Sequence, residues 1–280
     1  MVFAMITWGY SWVGAKILGP YGHVSTKIFL RFFFASIALI PILLKYHIPF
    51  RIDKKGFMFI LWNSISLCSY NYFYFKSTHM GLAGVGGVLV TTLNPILTSL
   101  FVFSFLDRSS AKLKEFFGLI MGLTGGSIIM RLWEMDIALM ISSGNIFYIL
   151  ASCSWVSVTI ASQKSKTHIH FLTFSFWSFL SASLFSLSFC EIESISQTIN
   201  YDSIYWLNIF LLSIVVMSFA NTMYFFASSK IGAVKASSYI FVVPLTAIIF
   251  SKIILNEQVL YTTVLGGVLS VVAVYLINKK

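Results

Sequence analysis

Stretches of about twenty residues without an acid or a base recur from one end of this chain to the other. Residues 207–227 read LNIFLLSIVVMSFANTMYFFA, and residues 29–44, FLRFFFASIALIPILL, hold one charge. An α-helix of that length and polarity spans the ~30 Å hydrocarbon core of a bilayer. Inside lipid every backbone N–H and C=O must pair within the segment, so such stretches are read as helices. The chain as a whole is 58% hydrophobic and 10% charged, with a mean hydropathy of +0.87. A soluble domain carries about 25% charged residues, and so little charge cannot make a water-facing surface.

The apolar runs fall at roughly 2–18, 25–44, 57–75, 83–105, 114–130, 144–162, 170–189, 204–226, 233–255 and 259–277. The expected fold is therefore all-α integral membrane with ten transmembrane helices. The first run is short and starts at Met1, which leaves room for a start codon placed differently. Its Trp8, Tyr10 and Trp12, and the lack of a basic lead, separate it from a signal peptide.

Lysine and arginine set the orientation. With the N-terminus inside, thirteen of the nineteen basic residues fall in cytoplasmic segments and two, Lys76 and Arg131, in outer loops. Both termini are expected in the cytoplasm, at the inner (plasma) membrane. The net charge of +10 then faces anionic lipid rather than nucleic acid. Cys68, Cys153 and Cys190 sit in or beside apolar spans and are read as free thiols.

The two ends of the chain echo each other. Pro95 laid on Pro244 brings Gly118 onto Gly267 and Leu106-Asp107-Arg108 onto Leu255-Asn256-Glu257. SWVGAKIL (11–18) is similar to SWVSVTIA (154–161), and FKSTHMG (75–81) to FASSKIG (226–232). The chain is read as two repeats, 1–130 and 140–280, of five helices each. Five is odd, so the second repeat enters the membrane inverted, the arrangement of many secondary transporters.

FLRFFFASIALIPIL, the Pro95 helix ending in FLDR, the Pro244 helix ending in ILNE, and the glycine-rich GLIMGLTGG and GGVLSVVAVYL together resemble the EamA-type drug/metabolite transporter superfamily. The resemblance implies export or exchange of amino acids or related metabolites. It also implies a Gly-Glu pair at the ends of helices 4 and 9. Here those positions read Asp107-Arg108 and Asn256-Glu257, so the first half departs from the pattern.

A mid-helix proline removes an N–H and crowds the preceding turn. Pro95 and Pro244 are therefore read as hinges beside a midplane site. Polar residues form faces around them: Trp8, Ser11 and Trp12 in helix 1; Asn63, Tyr70, Asn71 and Tyr74 in helix 3; Thr91 and Asn94 in helix 4; Asn221 and Tyr224 in helix 8. Polar groups in a span turn toward protein or a wet cavity, so these residues, with Arg31, are the candidate substrate-binding set. No acidic residue lies at a midplane, which disfavours a pump for drug cations. Arg31, by contrast, offers a two-pronged fork to a carboxylate. Gly118, Gly122, Gly126, Gly266 and Gly267 allow close helix contact, within the chain or against a second copy as a homodimer.

No catalytic, metal or cofactor motif is present, so no cofactor is expected. The function read from the sequence is secondary transport of a small organic metabolite, an amino acid or a related zwitterion or anion, by alternating access. The alternatives are a multidrug or cation efflux pump and an integral-membrane enzyme of lipid metabolism.

Overall fold

The structure, a computed structural model, describes residues 1–102, 104, 113–134, 138 and 142–278. Asp107, Arg108, Lys112, Asp136, Lys279 and Lys280, which enter the charge and repeat readings, lie outside the described residues. Among the described residues there is no strand. The long helices are α1 (Val2–Ile17), α2 (Val24–Lys45), α3 (Lys54–Met80), α4 (Ala83–Phe101), α5 (Leu113–Met130), α6 (Asn145–Ser165), α7 (Phe171–Leu187), α8 (Ser203–Ile231), α9 (Ala233–Leu255) and α10 (Tyr261–Asn278).

Five of these, α2, α4, α6, α8 and α9, are long and apolar enough to cross a membrane; a sixth is added if α7 and the sharply bent Ile192–Asn200 segment form one broken span. That is fewer than the ten crossings expected, for local reasons. Helix α1 has 16 residues and α7 has 17. The 27 residues of α3 are diluted by its serines, asparagines and tyrosines.

Helix ends follow ordinary capping chemistry. Asp53 accepts the Gly56 N–H at 2.6 Å to start α3, and Asp202 accepts the Tyr205 N–H at 2.9 Å to start α8. Asp202 also accepts the Tyr21 hydroxyl at 2.9 Å, tying the α1–α2 loop to α8. These bonds, the Tyr205 N–H first, hold the Asp202 carboxyl below its usual range and push the Tyr21 phenol up.

Helix α5 packs along α10, α3 along α6, α2 along α7, and both α1 and α4 along α9. Exchange the first five helices for the last five, and three of these pairs, α5–α10, α2–α7 and α4–α9, return to themselves. The pairs α3–α6 and α1–α9 become α8–α1 and α6–α4, which are also in contact. Glycine permits the closest approaches. A Cβ on Gly9 would stand 2.1 Å from Thr246 Oγ1, between α1 and α9. One on Gly266 would stand 2.5 Å from the Gly125 carbonyl oxygen, between α10 and α5. The glycine steps of α5 and α10 are thus used inside the chain.

The molecule inverts the soluble pattern. Met58, Leu245 and Ile253 face outward, while Asn63, Thr98 and Arg31 are buried. Buried hydroxyls return their protons to the carbonyl four residues back, as Ser64 does to Ile60 at 2.7 Å and Ser213 to Ile209 at 2.6 Å. Helix α4 stays helical through Pro95, whereas α9 passes through a 3-10 turn at Tyr239–Phe241 just ahead of Pro244. Helix α8 is π-helical over Leu211–Asn221, which the sequence pattern does not reveal. Such segments are frequent at functional sites.

Candidate functional site

Six helices converge on one small cavity. Its wall is built by Trp8, Ser11 and Trp12 of α1, Arg31 of α2, Tyr70 and Tyr74 of α3, Thr91 and Asn94 of α4, Trp155 of α6, and Val216, Met217 and Asn221 of α8. The cavity holds about 20 Å³, room for roughly one water. A small-molecule site measures about 300 Å³ or more, so the helices are closed around it.

The wall is aromatic and tightly keyed. Trp8 meets Trp155 edge-on at 5.0 Å, Trp155 meets Tyr70 at 4.8 Å, and Trp12 meets Tyr74 at 4.7 Å. Two polar tips are anchored: Trp8 Nε1 donates to Asn221 Oδ1 at 2.9 Å, and the Tyr74 hydroxyl donates to the Ser11 carbonyl, whereas Trp155 Nε1 has no partner among the described residues. The Asn221 amide nitrogen rests on Met217 Sδ at 2.9 Å. This last contact lies within the π-helical stretch, which brings Val216, Met217 and Asn221 together onto the cavity.

Arg31 is 2% exposed, enclosed by protein. Its Nη1 donates to Asn71 Oδ1 at 2.8 Å, and Asn71 Nδ2 donates to the Leu67 carbonyl at 2.8 Å, which fixes the amide with its oxygen toward the guanidinium. The guanidinium carbon sits 5.4 Å from the centre of the Tyr74 ring and 5.2 Å from that of Phe75. Arg31 Nε donates to nothing among the described residues, and no described acidic side chain lines the cavity. An unpaired buried charge costs several kcal/mol, and each aromatic face returns about 0.5–2 kcal/mol. The site therefore holds an uncompensated positive charge. Asn94, 2% exposed, presents an Oδ1 that accepts from nothing among the described residues.

Nine of the twelve candidate residues line this one cavity. Asn71 stands behind Arg31. Tyr224 stands behind Trp8 at 5.1 Å, with its hydroxyl 2.9 Å from Thr159 Oγ1. Asn63 is buried, neither of its amide atoms has a partner among the described residues, and it does not line the cavity. Neither proline lines it. Pro95 follows the wall residue Asn94, and a Cβ on Gly87 would lie 2.4 Å from Ala247 Cβ, so α4 and α9 touch three residues beyond Pro244. The wall residues absent from the candidate set are Trp155, Val216 and Met217. The match of SWVGAKIL to SWVSVTIA sets Trp155 opposite Trp12 and was the signal for it.

Two other cations within the helices or at their ends serve backbone. Lys16 Nζ donates to the Gly81 carbonyl at 2.6 Å and Lys27 Nζ to the Leu18 carbonyl at 2.7 Å. Where α3 ends and α4 begins, Glu257 is bidentate: Oε1 accepts the Ala83 N–H and Oε2 the Gly84 N–H, both at 2.9 Å. A carboxylate suits the positive end of a helix. Asn256, just before it, has φ 52°, the left-handed geometry that glycine adopts most readily and asparagine tolerates. Glu257 thus fastens the α9–α10 loop to the start of α4. A larger cavity of about 600 Å³ lies between α2, α3 and α7, walled by groups such as Ile28, Phe73, Phe185 and Phe189. His23, Ser25, Ser69, Tyr72 and Ser186 also line it, but no lysine or arginine does; the small cavity, with the buried Arg31 in its wall, is the better candidate.

The EamA-like transporter family model matches residues 1–131 and 142–279, and the chain belongs to that family. It is 23% identical to the uncharacterized transporter YoaV of Bacillus subtilis over 276 residues, covering 96% of this chain and 92% of YoaV. It is 26% identical to the uncharacterized transporter sll0355 of Synechocystis over 213 residues, covering 71% of this chain and 64% of sll0355. The match to an uncharacterized transporter of Archaeoglobus fulgidus spans 47% of that protein. A solved crystal structure shares the fold with a TM-score of 0.70 at 17% identity, covering 98% of this chain and 94% of the other. The family and its transporter-named relatives point to a multi-pass membrane transporter rather than an enzyme.

Proposed function

We propose that the chain is a secondary transporter of a small organic metabolite bearing a carboxylate, an amino acid or a related zwitterion or anion. It works by alternating access, in export or exchange. Its helices form two inverted sets of five, residues 1–130 and 140–280, in the inner membrane with both termini cytoplasmic. The exchange pattern of helix contacts supports the inverted repeat, and the thirteen-to-two charge bias supports the orientation.

The single observation that carries the substrate reading is Arg31, buried, unpaired by any described acid, and set in the cavity wall beside an unfilled acceptor on Asn94. A carboxylate would take the guanidinium through charge-assisted bonds. An ammonium or amide N–H on the same ligand would fill Asn94 Oδ1. The tryptophans and tyrosines would cover an apolar remainder. The cavity must widen to admit such a ligand, and the two proline helices are where that movement would fall.

Uptake by purified protein in liposomes, against a panel of amino acids, oxo acids and their amides, tests this reading. Carboxylate-bearing compounds are expected to be carried and their amides excluded. Transport of amides or organic cations at equal rates would overturn it. Reporter fusions test the topology: those at Ser143 and Thr198 should read outside and one at Thr167 inside.

A further inference from the structure

Helices α6, α7 and α8 frame a separate hollow of about 420 Å³ at the end of the bundle that the charge bias assigns to the cytoplasm. Lys166 and Lys230 stand on its walls with the hydroxyls of Thr167 and Ser229. Phe171 and Phe226, 4.7 Å apart between ring centres, supply its apolar side. No described acidic side chain lines it. Asp53, carried by the neighbouring loop, is taken up by the Gly56 N–H and by His168 Nδ1 at 3.5 Å.

The first turn of α7, a helix of 17 residues, opens into the same hollow and adds its positive end. His170, also on the wall, accepts the Leu172 N–H through Nδ1 at 3.4 Å. Burial first, and then the Lys230 charge, hold its imidazole below the usual value. Two lysines, two hydroxyls and a helix start converging beside a pair of phenyl rings make a site for a compact oxyanion with an apolar neighbour.

We propose that this hollow binds a phosphate group, with Lys166 and Lys230 on its oxygens and the two phenyl rings beside the carbon attached to it. The phosphate of an anionic phospholipid and that of a soluble metabolite share this chemistry. The cytoplasmic leaflet is rich in anionic lipid, so the lipid is the first probe.

The test follows thermal unfolding of the full-length protein in neutral detergent. Dioctanoyl phosphatidylglycerol, dioctanoyl phosphatidylcholine or inorganic phosphate is titrated in. The phosphatidylglycerol should raise Tm saturably. Lys166→Gln with Lys230→Gln should weaken its half-saturation by roughly twenty-five-fold, about fivefold for each lysine. Either single variant, expected to weaken it about fivefold, serves if the double variant does not fold. Lys54→Gln with Lys55→Gln removes the same charge elsewhere on that face and should leave half-saturation within about twofold. Saturation by inorganic phosphate with the same dependence on the two lysines would uphold the site and assign it to soluble phosphates. Equal stabilisation by phosphatidylcholine, equal weakening by the two double variants, or a rise without saturation would each overturn it.

Discussion

Helices α4 and α9 occupy matching places in the two halves of the sequence, yet they differ in every respect that bears on the site. With Pro95 laid on Pro244, the polar Thr91, Asn94 and Thr98 of α4 fall on Ile240, Val243 and Ala247 of α9. Helix α4 contributes two residues to the cavity and α9 none. In α4, 78% of the apolar window is buried inside the protein, against 31% in α9, so α4 is an inner helix and α9 turns much of its surface toward lipid. The first turn of α4 is held by the Glu257 carboxylate. The matching residue in the first half is Arg108, which has no acceptor to offer a helix start. Matching sequence does not bring matching chemistry: α4 carries polar groups and is latched at its start, and α9 presents apolar residues at the matching places.

The largest effect that could break this contrast is expected at the latch. Glu257→Ala removes two charge-assisted bonds from a helix start, a loss of about 2–3 kcal/mol. A fall in Tm is expected in detergent, together with faster labelling of a cysteine placed at Leu82 by a membrane-impermeant thiol reagent. Unchanged labelling would mean that Glu257 does not hold that end closed.

Next come the two faces. Asn94→Leu removes the free acceptor and should weaken ligand binding about tenfold, near the ~1.4 kcal/mol equivalent to a hydrogen bond. Val243→Ala, at the matching place in α9, should leave affinity within about twofold. Equal losses would erase the asymmetry.

The prolines should separate in the same direction by a smaller margin. Pro95→Ala restores a hydrogen bond in a continuous helix and should slow transport several-fold. Pro244→Ala should slow it by about twofold or less, because the 3-10 turn at Tyr239–Phe241 already interrupts α9. Unchanged rates in both would reduce the prolines to packing bends.

The smallest effect is conformational. Asn256→Gly should raise stability by about 0.5–1 kcal/mol, since glycine adopts the left-handed backbone at less cost. Asn256→Val should lower it, as read by Tm; a neutral valine would show that the φ 52° conformation is not required.

Much of the cavity wall was legible because a membrane leaves polar side chains few places to go. Trp8, Ser11, Arg31, Tyr70, Asn94 and Asn221 are far apart in sequence, and the inward-turning of polar faces alone brought them to one wall. Trp155 was visible only through the internal echo, since a lone tryptophan in an apolar run has no polar face to place it. Val216 and Met217 were invisible, because a π-helical stretch shifts the register that 3.6-residue periodicity assumes. The number of crossing helices was less secure than their positions. Runs as short as α1, or as polar as α3, fall below what length and apolarity require of a span. Glu257 was read as a helix end, and its hold on α4, 173 residues away in sequence, depends on tertiary contact that no local pattern carries.

A binding cycle measures directly whether Arg31 receives the carboxylate of the transported molecule, as proposed. The substrate found in liposomes and its amide analogue are each titrated against the wild type, Arg31→Lys and Arg31→Gln. For the carboxylate, affinity should fall from Arg to Lys to Gln, by roughly 1.5–3 kcal/mol overall for the loss of a charge-assisted bond. For the amide, the three proteins should differ little. If Lys serves as well as Arg, or if carboxylate and amide respond alike, Arg31 does not bind the carboxylate and the cavity is not the site proposed.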